Sequence, residues 1–573
     1  MEIRSVIRCI WPLVFGVACA TEDVQPEQDL GDVEGIEEVE EGLTDLSAQC
    51  SFTAGSGLMT LGLLADDIAM ISKSSSGLVV INGFACASGA TSTAVKRIEV
   101  TATTGAQTVI LDYMGGTFAL GGSPAGSTGI LVSLGAGTDA LKIRGSKLAD
   151  SYVFGSTGAA INGDTVKDIT PTDVETFVVT LSDGADVFSA AGNTTTGGAA
   201  FASNMTIYGG AGNDTLRGGD GDDTYNGGDG DDTFQTGTAD DGSDTMNGGA
   251  GTDIADYSTR TTAVTVTIDG TANDGATAGA EADDVEIDVE TLKGGTAGDS
   301  LTGSTTANTI SGGGGNDTIT GGDGIDILNG DADDDTFAEG AAANGGDTMN
   351  GGAGTDTVSY ASRTGDVVVN LNATADDGET GEADKVATDV ENVTTGAGAD
   401  DLTGSTSANV LTGGAGTDDL IGGDGNDTLI GGADADTMDG GNGDDTFDEG
   451  AATSGADEMT GGAGVDLVNY GARTGDITIV MDGTTPGGDG AEGDTVGTDV
   501  ENLRTGDGED DITGNALDNT LEGGDDVDTI DSGAGDDTVD GDAGDDIIDC
   551  GLGDADILLD ATVDTTDPHN CEL

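Results

Sequence analysis

The sequence predicts an all-β protein wound from short repeated units, on three observations. After residue 208 a nine-residue register of glycine, aspartate and aliphatic residues recurs many times. Gly209-Gly210-Ala211-Gly212-Asn213-Asp214-Thr215-Leu216-Arg217 runs directly into Gly218 to Asn226 and then Gly227 to Gln235. From Cys50 to about Met205 no segment sustains the 3.6-residue apolar period of an amphipathic helix. Between Cys50 and Met205, Val, Ile and Thr alternate in segments such as Arg97-Ile98-Glu99-Val100, bounded by Gly-rich turns, as half-buried strands require.

The nine-residue register returns from Gly294 to Ala338, from Thr395 to Asp448 and from Thr505 to Asp549. Its sixth place is nearly always Asp or Asn. Its eighth place is apolar: Leu301, Ile310, Ile319, Leu328 and Phe337 in one array, Leu402, Leu411, Leu420, Leu429, Met438 and Phe447 in the next. The 573 residues carry 109 acidic against 16 basic side chains, a net charge of −93. Such a surface excludes nucleic-acid backbones and anionic lipid as partners, and a compact fold needs cations inside it. The periodicity argues against disorder, because the acids keep register with glycines and aliphatics instead of forming charge blocks.

This pattern resembles the RTX (repeats-in-toxin, hemolysin-type) calcium-binding nonapeptide repeat, G-G-x-G-x-D-x-U-x. The resemblance implies a right-handed parallel β-roll or β-solenoid, in which two units complete one coil and each ion sits between turns of adjacent coils. Glycines in the first, second and fourth places open backbone angles closed to other residues, so the loop turns tightly with its carbonyls facing inward. The sixth-place carboxylate joins those carbonyls, and an oxygen-only ligand set suits Ca²⁺. Asp214, Asp223, Asp232, Asp317, Asp326, Asp335, Asp418, Asp427, Asp436, Asp445, Asp528, Asp537 and Asp546 match the ligand place. Asn308, Asn409 and Asn519 replace Asp there, so weak or empty turns are expected. Gly330-Asp331-Ala332-Asp333 and Gly523-Gly524-Asp525-Asp526 lack the fourth-place Gly, and Asp400 ends a turn that departs from the pattern.

A longer period, roughly 105 residues, overlies the short one. Each copy begins at Asp244, Asp347 or Asp457 and continues into Tyr-x-x-Arg-Thr: Tyr257 with Arg260, Tyr360 with Arg363, Tyr470 with Arg473. An alternating strand follows (Val264, Val266, Ile268; Val367, Val369, Leu371; Ile477, Ile479, Met481), then an acidic loop and Asp-Val-Glu at 288, 389 and 499. The three arginines are expected to neutralise nearby carboxylates where the solenoid restarts; a thrice-repeated ligand patch is the other reading. The acidic loops, such as Asp376-Asp377-Gly378-Glu379 with Glu382 and Asp384, read equally as further Ca²⁺ sites or as solvated charge. Asp173-Val174-Glu175 leads to Asp183-Gly184-Ala185-Asp186, so the N-terminal region reads as a degenerate solenoid feeding into the roll.

The N-terminus reads as an export signal. Arg4 and Arg8 precede the apolar run Ile10 to Val17 and the cleavage-type Ala18-Cys19-Ala20. Cys19 also admits a lipid anchor to a membrane. Either way the protein is expected outside the cytoplasm, secreted or held at a bacterial cell surface. There Cys50 with Cys86 and Cys550 with Cys571 would pair as two local disulfides. The organisation is a signal peptide over 1–20, an acidic linker over 21–49 and a β-rich domain over 50–206. A first array over 207–243 follows, then large units over 244–346, 347–456 and 457–549, and a disulfide-closed cap over 550–573.

His569 is the only histidine, which excludes an H-E-x-x-H zinc site, and no G-x-S-x-G is present. Asp567-Pro568-His569 is similar to a motif of alginate epimerases, but lies beside Cys571 at the chain end. The expected function is an exported, non-catalytic calcium-binding protein with a structural, surface or adhesive role toward a cell-surface or polysaccharide partner. The alternative is a polysaccharide-active lyase, hydrolase or epimerase using residues 50–206, with the repeats as a calcium-dependent folding appendage.

Overall fold

The computed structural model describes residues 43–559, apart from 55, 57, 75, 77, 87–89, 92–94, 96, 116–128, 162–166, 194–195, 277–280, 491 and 553–554. The signal peptide, Cys19, most of the acidic linker, His569 and Cys571 lie outside the described residues. The described residues are all strand, turn and bend except for one 3-10 turn, Ser47–Gln49.

A coil is two nonapeptides. Thr215–Arg217 pairs in parallel with Thr233–Gln235, with Leu216 opposite Phe234, eighteen residues on. The unit between them, Thr224–Asp229, lies in the facing sheet and pairs in parallel with Met205–Ala211. The pleat sends the middle residue of each short strand inward. Every eighth-place residue from Leu301 to Phe337 and from Leu402 to Phe447 is buried accordingly.

The ten-stranded sheet runs through Ala140–Arg144, Thr176–Asp183, Met205–Ala211 and Thr224–Asp229 without interruption. The N-terminal region is thus the start of the same solenoid. Its coils are longer and hold larger side chains. Phe154 packs 5.5 Å from Phe188, and Phe177 lies edge-on at 4.7 Å to Phe201. The antiparallel strand Cys50–Thr53 closes the first edge, and the Cys50–Cys86 disulfide is present. Leu46, placed in the acidic linker on composition, is instead buried in the core.

The long period corresponds to three junctions, each inserting a hairpin. Val264–Thr267 folds back on Gly275–Ala276, Val367–Asn370 on Gly378–Glu379, and Ile477–Val480 on Gly488–Asp489. At each junction one sheet ends and another begins, while the facing sheet continues. The 10-stranded sheet gives way to the 15-stranded one while the 16-stranded sheet runs on. The 16-stranded sheet then yields to the 7-stranded, and that to the 5-stranded, while the 15-stranded sheet runs on. The ladder on at least one face therefore always crosses the joint, which avoids a double row of unpaired edges. At the far end the coil lengthens by one residue. Asp537 N–H donates to Asp556 across nineteen residues, and Ile557–Leu558 still pairs in parallel with Thr538–Asp540. Cys550 is buried and disulfide-bonded.

Candidate metal centre

The sixth-place aspartates form ladders that follow the coils. Each Oδ1 accepts the backbone N–H of the residue one coil earlier. Asp214 N–H donates to Asp232 at 2.7 Å, Asp317 to Asp335, Asp418 to Asp436 and Asp427 to Asp445, each at 2.8 Å. Asp528 N–H donates to Asp546 at 3.0 Å. One oxygen of each carboxylate is thereby committed to the backbone.

The other oxygen is not. Oδ2 of Asp214, Asp232, Asp317, Asp326, Asp335, Asp418, Asp427, Asp436, Asp445, Asp528 and Asp537 is buried with no hydrogen-bond partner among the described residues. An orphaned buried oxygen carries a full desolvation penalty unless a cation or proton reaches it. Burial, the largest cause, pushes the carboxyls of Asp214, Asp317, Asp326, Asp335, Asp436 and Asp528 up to about 7, and those of Asp232, Asp418 and Asp427 up to about 6.

Each free oxygen faces a cradle. A Cβ on Gly422 would lie 2.5 Å from Asp427 Oδ2 and 2.5 Å from the Gly440 carbonyl oxygen of the next coil. Gly440 stands in the same way to Asp445 and the Gly461 carbonyl. First-place glycine is therefore required by space, since its φ is not in the left-handed region; the expectation that backbone angle demands it is corrected. In the same turn the second- and fourth-place glycines do use that region: φ is +108° at Gly423 and +125° at Gly425. Asp333 and Asp526, in the turns lacking a fourth-place glycine, adopt it too, at +74° and +81°, so those turns keep their form.

The departures from the consensus have physical counterparts. At Asn409, Oδ1 accepts the Ser405 N–H at 2.7 Å and Nδ2 donates to the Glu391 carbonyl at 2.8 Å. Asn519 does the same with Asn515 and Glu501. Asn308 does so with Ser304 and Glu290. The amide oxygen takes the cradle place and is satisfied by an N–H of its own turn, so these turns leave no side-chain oxygen in need of a cation. Asp223 differs from the rest of its set. Its Oδ2 accepts Gly219 N–H at 2.9 Å, and the Tyr225 hydroxyl takes the Gly218 N–H and donates to Asp244. Asp400 Oδ2 also has no hydrogen-bond partner among the described residues, but above it the Thr395 hydroxyl donates to the Gly413 carbonyl at 2.6 Å, so a side chain stands in the cradle.

Ladder members also appear that the nonapeptide pattern alone did not single out. Asp253, Asp356 and Asp466 leave Oδ2 unpartnered among the described residues, and a Cβ on Gly248, Gly351 or Gly461 would meet it. Their turns, Gly-Gly-Ala-Gly-x-Asp, carry the same signal inside the longer phrase. The Asp-Val-Glu phrase explains itself here: Oε2 of Glu290, Glu391 and Glu501 accepts the N–H of Asp253, Asp356 and Asp466, which carries each ladder across a junction.

At the junctions Arg260, Arg363 and Arg473 are buried among acids rather than displayed as a patch. Arg260 pairs with Asp241 and Glu281, Arg363 with Glu339 and Glu382, Arg473 with Glu449 and Glu492. The adjacent Tyr257, Tyr360 and Tyr470 hydroxyls donate to Asp283, Asp384 and Asp494. The acidic loops are partly structural: Asp377 is buried, accepting the N–H groups of Asn370 and Val386.

Orphaned carboxylate oxygens beside carbonyl-lined cradles form an oxygen-only donor set, which fits Ca²⁺. When bound, Ca²⁺ supplies the positive charge that the buried carboxylates lack. The chain's own part is to hold those oxygens in place through the Oδ1 ladder. The RTX calcium-binding nonapeptide repeat family model matches at residues 206–234, 238–256, 293–328, 302–337, 342–360, 394–429, 412–447, 447–472, 504–539, 513–548 and 522–555. No curated protein matches the chain. In those segments the chain carries arrays of the RTX calcium-binding nonapeptide repeat, and these repeats bind Ca²⁺.

Proposed function

We propose that this protein is exported and that its solenoid folds on meeting extracellular calcium, to serve as a structural, surface or adhesive element. RTX repeats are typical of exported proteins, and the sequence of residues 1–20 supports that route. The observation that carries the reading is the run of buried Asp Oδ2 atoms left without a hydrogen-bond partner among the described residues. Thirteen consensus aspartates, Asp214 to Asp546, are the proposed ligand set, with Asp253, Asp356 and Asp466 added and Asp223 contributing least. Residues 50–206 are read as the leading coils of the same element rather than a catalytic unit; the continuous ten-stranded sheet supports this. Its partner is proposed to be a cell-surface component or polysaccharide.

The test is a calcium titration of the secreted chain followed by far-ultraviolet circular dichroism. In chelator the region from residue 209 should be largely unfolded, and roughly millimolar Ca²⁺, the range of extracellular modules, should convert it cooperatively to β structure. Equal β content with and without calcium would refute the reading.

A further inference from the structure

We propose that the second junction holds a divalent cation of the calcium class on Glu339, Glu382 and Asp384, separate from the nonapeptide turns. One carboxylate oxygen of each residue lies within 4.8 Å of the others, and all three residues are buried. Close acids alone would not define a site, because Arg363 sits among them. Glu339 supplies the independent observation. Its side chain is 0% exposed, and its Oε1 meets no hydrogen-bond partner among the described residues.

The other two carboxylates are already engaged, whereas Arg363 Nε and Nη1 have no hydrogen-bond partner among the described residues and Nη1 stands 3.9 Å from Glu379 Oε1. Asp384 accepts the Asp347 N–H at 2.9 Å and the Tyr360 hydroxyl at 2.8 Å. Glu382 Oε1 accepts Arg363 Nη2 at 2.7 Å and the Asn344 N–H at 3.1 Å, and its Oε2 accepts the Glu379 N–H at 2.5 Å. Arg363 Nη2 stands 3.4 Å from Glu339 Oε2, so one guanidinium serves two of the three carboxylates and leaves Oε1 uncompensated. Three buried carboxylates facing one cation retain negative charge that the interior penalises and a dication would offset. The donors are all oxygen, which favours Ca²⁺ over softer metals.

The other junctions show why this one is distinct. In the first, Thr236 occupies the place of Glu339, and its hydroxyl accepts Arg260 Nε at 3.3 Å. Asp241, at the position of Asn344, supplies the third carboxylate there, but both its oxygens are engaged, Oδ1 by Arg260 Nη2 and Oδ2 by the Gly237 N–H. In the third, Glu449 is retained, but its Oε2 accepts the Ser454 hydroxyl at 2.8 Å, where the second junction has Asn344.

Crystals of the whole protein grown in Ca²⁺ and exchanged into Tb³⁺ test the site without mutation. The anomalous difference map should show a peak among Glu339, Glu382 and Asp384 and none beside Thr236. Peaks in the nonapeptide turns with none at the second junction would overturn the proposal while leaving the calcium-folding reading intact. In solution, Glu339→Gln should lower the Ca²⁺ bound per chain by one, counted by equilibrium dialysis. An unchanged count, the result if the carboxylates share a proton instead, would also overturn it.

Discussion

Substitutions at Asp427 separate the two tasks of one ladder carboxylate. Oδ1 accepts the buried Asn409 N–H at 2.7 Å, and Oδ2 is the orphan beside Gly422 and the Gly440 carbonyl. Asp427→Ala removes both. It strands a buried N–H, which costs about 1–3 kcal/mol, and deletes a cation ligand. With Oδ1 still accepting the Asn409 N–H, Asp427→Asn puts an amide nitrogen in place of the orphan Oδ2, beside the Gly440 carbonyl. It should lose the ion but keep the backbone bond. A site saturated at about one hundred times its dissociation constant contributes about 2.7 kcal/mol to the folded state, so the two losses are of comparable size. Folding of the array over residues 395–448 is followed by circular dichroism against free Ca²⁺, with bound ions counted on the same samples. Both variants should bind one ion fewer than the parent, and Asp427→Ala should need the higher calcium concentration. Asp400→Ala, beneath the Thr395 hydroxyl, should cost the Val367 hydrogen bond but no ion. Identical calcium midpoints for Asp427→Ala and Asp427→Asn, or an ion lost at Asp400→Ala, would show that the division of labour between the two oxygens is wrong.

The remaining predictions concern charge, space and the far end. A carboxyl whose folded pKa is raised stabilises the fold below its unfolded pKa, and loses that contribution as pH rises through the folded value. Burial puts Asp214, Asp317, Asp335, Asp436 and Asp528 at about 7, so calcium-free protein should gain β content as pH falls from 8 to 5; flat or falling circular dichroism would contradict this. Thr395→Gly should empty the cradle above Asp400 and raise the bound calcium by one ion per chain, checked by equilibrium dialysis. Cys550→Ser should increase hydrogen exchange over residues 505–558 and leave 209–235 unaltered, because a solenoid passes stability only between neighbours. Faster exchange in both regions would argue against that locality.

Much of this architecture is legible in the chain because a repeat makes local and global structure the same thing. The eighth-place aliphatics, the eighteen-residue coil, the hairpin strands headed by Val264, Val367 and Ile477, and the one-residue slip after Asp549 all follow from spacing, since each coil meets only its neighbours. The sixth-place aspartates are legible for the same reason, and Asp253, Asp356 and Asp466 were within reach of the same pattern. What spacing cannot express is which oxygen remains free. Asp223 and Asp232 read alike, yet the Tyr225 hydroxyl beside Asp223 changes the hydrogen-bond inventory of that turn, and no counterpart stands beside Asp232. Thr395 plugs a cradle that Gly422 leaves open, a difference of one side chain whose consequence depends on a carbonyl from the next coil. The junction acids come together only in the fold, because Glu339 and Glu382 are brought onto Arg363 by a hairpin inserted between coils. The sequence alone determined the period, the core and the ligand type; the tertiary structure decided which carboxylates are satisfied. Satisfaction depends on every donor and acceptor within hydrogen-bond reach, and in this solenoid the ladder N–H and the cradle carbonyl belong to neighbouring coils.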